Sequence, residues 1–229
     1  LKWKESRSSG DIKYFEGEPL KGDDMYKISD EHGEFLIRLA RKAIEGYLKN
    51  GKEIEPPEDT PQELWEKMGV FVTLNRYNVP PQRALRGCIG FPMPIYPLVK
   101  ATIKAAIYAA FDDPRFPPVE ERELDSLVLE VSVLTPPELI EGKPRERANK
   151  IKVGRDGLIV EKGIYSGLLL PQVPVEWGWD EEEFLSQTCW KAGLPPDCWL
   201  EEATKVYRFT AEIFEEEKPR GRVKRKPLL

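Results

Sequence analysis

Residues 85–90 read Leu-Arg-Gly-Cys-Ile-Gly (LRGCIG). They lie between two runs that alternate like strands, GVFVTLN at 69–75 and LVLEVSVL at 127–134. Asn78-Val79-Pro80-Pro81 is a turn-rich link, so 84–90 is expected to fold back on 69–75 as an antiparallel partner. Side chains alternate along a strand. Leu85, Gly87 and Ile89 then share one face and Arg86 and Cys88 the other, about 7 Å apart at their Cα atoms. Gly87, on the apolar face, lets a helix approach the backbone. Setting the apolar residues of all three strands on one side gathers Thr73, Arg86, Cys88, Glu130 and Ser132 on the other. A nearby guanidinium stabilises the thiolate, the nucleophilic form of cysteine. Glu130 is expected to act as general base or to hold Arg86. The pattern leaves two readings of Cys88 open: a nucleophile, or a small apolar side chain in a packed strand.

Outward from this hairpin, Phe35, Leu36, Leu39, Ala40, Ala43, Ile44, Tyr47 and Leu48 recur at helical spacing. Ser29 or Asp30 caps the start, and Asn50-Gly51 supplies the stop. Thr60-Pro61-Gln62-Glu63 has the form of a capping box before a short helix. Residues from Ile95-Tyr96-Pro97 to about Phe111 predict a helix apolar over most of its surface, hence largely buried. Beyond Pro136-Pro137, IKVG and LIVEKG flank Arg155-Asp156-Gly157 as a hairpin, and YSGLLL follows. LPQVPVEWGW reads as an irregular loop. Asp180 with Glu183 caps a helix through Cys189 to Gly193. KVYRFTAEIFEE, 205–216, alternates as one strand.

Strands and helices interleave on short links. The expected class is α+β, with two subdomains, each an antiparallel sheet packed by helices, and LRGCIG on a strand of the larger sheet. The larger subdomain spans 25–142 with 203–229. The smaller, 143–202, is inserted. Residues 1–24 are polar and weakly periodic and read as a leader or mobile arm, with 12–15 as a candidate docked strand.

The chain has 229 residues, 40% of them hydrophobic and 33% charged, enough for a real core. A net charge of −5 argues against a generally basic nucleic-acid binder. No apolar run reaches the roughly 18–20 residues of a membrane span, and no membrane role is expected. The first residues lack the apolar segment of a signal peptide, which makes the cytoplasm the expected location.

LRGCIG resembles the signature hexapeptide of the AMMECR family. GVFVT before it, Asp113-x-Arg115-Phe116-Pro117-Pro118 after it, and the run through LVLEVSVLTPPE are similar as well. So are VGRDGLIV, LLLPQVPVEWGW and the helix ending KAGL. The likeness covers about Met25 to Glu217. It implies a two-subdomain α+β fold with an antiparallel sheet in each part. It also implies that Arg86, Gly87, Cys88 and Gly90 form the family's distinctive site, and that Arg115, Pro171 and Trp179 sit in family motifs. It further implies Memo-type and radical-SAM-type proteins as partners. It carries no reaction and no cofactor with it.

His32, the one histidine, lies among acids in the first turn of the first helix and reads as a surface residue. Cys189 falls on an apolar helix stripe, and Cys198 reads as packing near Trp199. With no C-x₂₋₄-C pair and one histidine, a structural zinc site is not expected. No phosphate-binding glycine loop is present. Lys218, Arg220, Arg222, Lys224, Arg225 and Lys226 read as a solvated basic tail, with nucleic-acid binding a remote third role. Trp177 and Trp179 flank Gly178 beside Gln172 and Glu176. The expected ligand site is a cleft between the subdomains, with Cys88, Arg86 and Glu130 catalytic and Thr73, Arg115, Gln172 and Trp179 contacting ligand. Two functional classes follow. One is a thiol-dependent enzyme that modifies a small molecule or matures another protein. The other is a non-enzymatic protein-binding domain whose hexapeptide shapes a surface.

Overall fold

A computed structural model describes residues 28–227. The expected arm at 1–24, with its candidate strand at 12–15, lies outside the described residues. Helix α1, Asp30–Asn50, begins where the Ser29 side chain accepts the His32 N–H and ends at left-handed Gly51. Strand β1, Gly69–Arg76, leads through a one-turn helix, α2 (Pro81–Ala84), to β2, Leu85–Phe91. Helix α3, Leu98–Phe111, and strand β3, Leu127–Leu134, follow. A short strand, β4 (Glu138–Leu139), precedes the hairpin of β5 (Gly157–Lys162) and β6 (Tyr165–Leu169). Then come α4 (Gln172–Trp177), α5 (Glu181–Lys191), β7 (Lys205–Phe209), β8 (Ala211–Glu216) and β9 (Val223–Lys226).

All pairings are antiparallel. One sheet has the order β2-β1-β3-β8-β9, the other β4-β7-β5-β6. The fold is therefore α+β with two sheets, and the hexapeptide lies on the edge strand β2 of the larger. Helices α1 and α3 cover one face of that sheet. Val70, Val72 and Leu74 from β1 and Leu127, Leu129, Val131 and Val133 from β3 pack beneath them. Every apolar residue of α3 from Leu98 to Ala110 except Tyr108 is buried, which explains its nearly all-round apolar surface. Gly87 is what lets α3 approach. A Cβ there would lie 2.1 Å from the carbonyl oxygen of Ala109.

Residues 205–216 alternate as one strand but divide at Thr210 between the two sheets. The Thr210 N–H donates to Thr135 Oγ1 at 2.9 Å, and the Thr135 N–H donates to the Thr210 carbonyl at 3.0 Å. The two chain crossings between sheets are thus pinned side by side. Strand alternation carries no signal of such a bend, because both halves keep period two. The smaller sheet also extends past 143–202 on both sides, taking β4 before it and β7 after it.

Four other local expectations change. Residues 62–65 form a 3₁₀ turn without a side-chain cap, because the Thr60 hydroxyl donates instead to the Pro57 carbonyl at 2.6 Å. Residues 151–154 are not a strand. The Asp156 carboxylate folds that segment by accepting the Lys152 N–H at 2.8 Å. The hairpin forms one step later, through Gly163-Ile164, with Gly163 at φ +60°. LPQVPVEWGW contains α4, closed by left-handed Gly178.

Cys189 and Cys198 form a disulfide, with Cα atoms 6.1 Å apart. The sequence pattern reads each as packing, since a nine-residue separation has no motif. Both are fully buried in the smaller subdomain's core with Phe184, Leu185 and Val206. Closing so short a loop stabilises by about 2–3 kcal/mol on the chain-entropy account. Cys88 is the free cysteine among the described residues.

The basic end is not a solvated tail. Strand β9 completes the larger sheet, and its cations meet acids. Arg225 reaches Asp30 and Glu212, Lys224 reaches Glu215, and Lys226 reaches Glu130. Arg220 joins Glu45 and Asp125. This pairing offsets most of the positive charge on β9. Beneath it, Arg41 of α1 grips Glu216 at 2.9 and 2.5 Å and also donates to the Leu124 and Leu127 carbonyls. Both side chains are buried.

Candidate functional site

Strand register assembles the site. Thr73 pairs with Cys88 on one side and with Glu130 on the other. Glu130 pairs in turn with Glu215, and Glu215 with Lys224. Because neighbours in register share a face, Cys88, Thr73 and Glu130 stand in one row, with Ser132 two residues further along β3. The structure brings these four together as the alternation predicts.

Arg86 departs from them. Between Leu74 and Asn75 the register with β2 slips, so that Leu74 faces Gly87 and Asn75 faces Leu85. Arg86 is the extra residue of a bulge, and bulges re-aim side chains. Its guanidinium donates to Glu123 at 2.8 and 3.0 Å and to the Pro118 carbonyl at 3.3 Å, against the Phe116 ring. Only 2% of Arg86 is exposed. Its carboxylate partner is thus Glu123, not Glu130. Glu123 itself forms the capping box of the 3₁₀ turn Glu121–Ser126 with Glu120.

The cation that acts on Cys88 is Arg115. It donates to the Cys88 carbonyl at 3.2 Å and is held by Asp113 at 2.9 and 2.6 Å. Buried Asp113 also accepts the Cys88 N–H at 2.9 Å. Asp113 and Arg115 therefore occupy the outward-facing donor and acceptor of Cys88, as a neighbouring strand would. Alternation along β2 directs the N–H and C=O of Gly90 outward as well. Gly90 cannot carry a side chain, since a Cβ would lie 2.3 Å from the Val70 carbonyl oxygen and 2.4 Å from the Phe71 ring.

The Cys88 sulfur accepts a hydrogen bond from Thr73 Oγ1 at 3.2 Å. Burial pushes the thiol up from its ordinary value. The Thr73 hydrogen bond and the charge of Arg115 pull it down, while Glu130 and Asp113 raise it further, and the net shift is upward. At neutral pH the group is a thiol rather than a thiolate. Burial also works against the Asp113 carboxylate. The hydrogen bonds from Arg115 and from the Cys88 backbone outweigh it and hold Asp113 below its usual range. The Arg86 hydrogen bonds hold Glu123 low despite its partial burial. Glu130, 8% exposed, is engaged by Lys226 Nζ at 2.8 Å.

Cys88 packs at the margin of the cluster that joins the subdomains. Phe71, Leu134, Ala211 and Ile213 of the larger sheet meet Ile159, Leu168 and Phe209 of the smaller one there, and Leu170 lies alongside. The segment before Gln172 thus approaches the Cys88 face, but Gln172 makes no hydrogen bond to Cys88, Thr73, Glu130 or Arg115. Its Oε1 is buried and unpartnered among the described residues. Trp179 is not brought to Cys88. It packs on the core beneath α5 and stacks on Trp177, with centroids 6.1 Å apart. Broad concavities lie elsewhere, beside Asp30 and Arg225 and beside Leu48 and Arg220. No cluster of three or more histidine, cysteine or carboxylate side chains suited to a metal occurs among the described residues, and no helix there is long and apolar enough to cross a membrane.

Sequence reasoning missed Asp113, Glu123 and Lys226 as partners. The three-residue spacing of Glu120 and Glu123 was a capping signal. Lys224 and Lys226 share the alternation of strand β9, within a segment whose composition reads as a tail.

The AMMECR1 family model matches residues 37–214. The chain is 83% identical over 205 residues to Protein PH0010 of Pyrococcus horikoshii, covering 90% of this chain and all of that protein. It is 59% identical over 206 residues to Protein MJ0810 of Methanocaldococcus jannaschii, with 90% and 100% covered. The crystal structure of uncharacterized protein PH0010 from Pyrococcus horikoshii superposes with a TM-score of 0.84 at 84% identity, covering 88% of this chain and 100% of that one.

Proposed function

The chain belongs to the AMMECR1 family, and we propose that it is a non-enzymatic protein-binding domain whose hexapeptide builds a rigid surface. One observation carries this reading: every charged side chain around Cys88 is committed to an internal partner, and burial holds the thiol neutral. Arg86 is spent on Glu123, Arg115 on Asp113, and Glu130 on Lys226. A nucleophile would need one of these cations free to favour the thiolate. The loop leaving β2 is what the rigid edge presents. Met93, Ile95 and Tyr96 are exposed there beside Trp65, and the ring of Tyr96 packs edge-on against Phe91 at 5.3 Å.

Memo-type and radical-SAM-type proteins, the partners the family resemblance implies, are the ones to test. Calorimetry of the full chain against a purified Memo-type protein should give binding that Cys88→Ser leaves within about threefold. Ile95→Glu should weaken it about tenfold or more, since interface energy concentrates in a few apolar anchors. Loss of binding in Cys88→Ser, or its persistence in Ile95→Glu, would overturn this assignment.

A thiol-dependent enzyme is the second reading, favoured by a different observation. Cys88 is only partly buried, at the junction of the subdomains, and both Thr73 and Arg115 act to lower its pKa. On that reading Cys88 is the nucleophile and Glu130 the base, released from Lys226 when substrate binds. Alkylation by iodoacetamide at graded pH separates the two readings. Faster reaction than a free cysteine peptide, with a lowered pKa, supports the enzyme; slow reaction supports the binding domain.

A further inference from the structure

Helix α5 has one face that the described residues leave uncovered. Phe184, Leu185, Thr188 and Cys189 are buried on its inner side. Helical spacing puts Glu182, Glu183, Ser186 and Trp190 on the outer side. Trp190 is 72% exposed, and Leu200 on the following 3₁₀ turn, Cys198–Leu200, is 43% exposed.

Two links hold this turn against the helix. The Cys189–Cys198 disulfide sits one residue before Trp190 and two before Leu200. One turn earlier, Trp199 Nε1 donates to Ser186 Oγ at 3.3 Å. From below, buried Arg147 donates to the carbonyls of Trp199, Glu201 and Thr204. The two apolar side chains are therefore presented on a braced support, which lowers the ordering cost of binding.

The charge along this stretch of chain is mostly negative. Residues 172–202 contain eight carboxylates and one base, Lys191. Glu182, Glu183, Asp197 and Glu202 are exposed, while Glu201 is taken by Lys162. Acids in the first turn of α5 also serve the helix, since Asp180 caps the Glu183 N–H and negative charge suits that end. That role accounts for neither Asp197, Glu202 nor an outward tryptophan.

We infer that this face docks a Lys/Arg-rich protein segment bearing apolar side chains. The apolar groups would cover Trp190 and Leu200, and the cations would meet Glu182, Glu183 and Asp197. Tryptophan is the residue type most enriched at interface hot spots, and a guanidinium also stacks well on it. The sign of the charge disfavours nucleic acid and anionic lipid. This surface is separate from the hexapeptide, and its failure would leave the Cys88 question untouched.

The test uses the full chain labelled with 5-fluorotryptophan and a short peptide alternating Arg and Leu. A Glu–Leu peptide serves as control. The Trp190 resonance, assigned by its loss in Trp190→Phe, should shift with the Arg–Leu peptide alone. Affinity should fall about tenfold in Trp190→Ala. In the Glu182→Gln/Glu183→Gln double variant it should fall several-fold and lose part of its salt dependence. Trp177→Ala, an exposed tryptophan on α4, should bind as the parent does. An unmoved Trp190 resonance, equal binding of the Glu–Leu peptide, or equal losses in Trp177→Ala and Trp190→Ala would overturn the assignment.

Discussion

The two edges of the five-stranded sheet are both closed by charge, in opposite ways. At β2 the charges turn inward. Asp113 and Arg115 satisfy the backbone of Cys88, and Arg86 is buried on Glu123. At β9 the charges stay nearer the surface: Lys224 and Arg225 pair with Glu215, Asp30 and Glu212, which keep access to water, while half-exposed Lys226 reaches buried Glu130. Either arrangement blocks a foreign strand from adding to an edge. The energetics differ, because breaking a buried, hydrogen-bonded pair costs about 3–5 kcal/mol and an exposed pair about 0–1. One edge is a fixed part of the fold, and the other is a solvated margin that tolerates change.

The largest expected effect tests that contrast directly. Arg86→Ala should lose about 3 kcal/mol in urea unfolding, near the low end for a buried pair because Glu123 keeps some access to water. Lys224→Ala on β9 should lose less than about 1 kcal/mol. Equal losses would erase the distinction between the edges.

How far the sequence foretold this arrangement follows from which interactions leave a period. β1, β2 and β3 were legible because alternation fixes both the strand and its face, and Thr73, Cys88, Glu130 and Ser132 came out together for that reason. Arg86 did not, because a single inserted residue in β2 leaves no trace in a pattern of six. The split at Thr210 was hidden for a related reason, since the two halves belong to different sheets but keep one alternation. The charged clip at Asp113 and Arg115 depends on a loop path, and β9 on a long-range pairing of cations with acids. The Cys189–Cys198 bond joins a helix to a turn across nine residues. None of these is a local property of the chain.

A smaller effect sharpens what the inward charges do. Asp113→Asn keeps an acceptor for the Cys88 N–H but loses the ion pair with Arg115. The folded state holds the Asp113 carboxylate low, so its contribution is present above the ordinary carboxylate range, about 3.9. That contribution is lost as pH falls through the folded-state value. At pH 7 the variant should be less stable by about 1–2 kcal/mol, as for a hydrogen bond to a charged group. The gap to the parent should then close as the solution is acidified below pH 4. A gap that stayed constant through that range would mean that Asp113 acts by shape rather than by charge.

The smallest effect links the two edges through the row that joins them. Cys88 and Lys226 are connected by Thr73 and Glu130, and the field of Glu130 raises the thiol while the Thr73 hydroxyl lowers it. Glu130→Gln should therefore move the Cys88 titration downward. Thr73→Val should move it upward, and Lys226→Met should do the same by leaving Glu130 unneutralised. Stability at pH 7 should change by about 1 kcal/mol in Glu130→Gln and Lys226→Met, as for a single hydrogen bond, since Glu130 is buried while Lys226 is half exposed. Thiolate absorbance near 240 nm, read against a Cys88→Ser blank, follows the titration in each variant. A Cys88 titration identical in all three would show that the two edges are electrostatically independent, and that the β9 cations serve only to blunt their own margin.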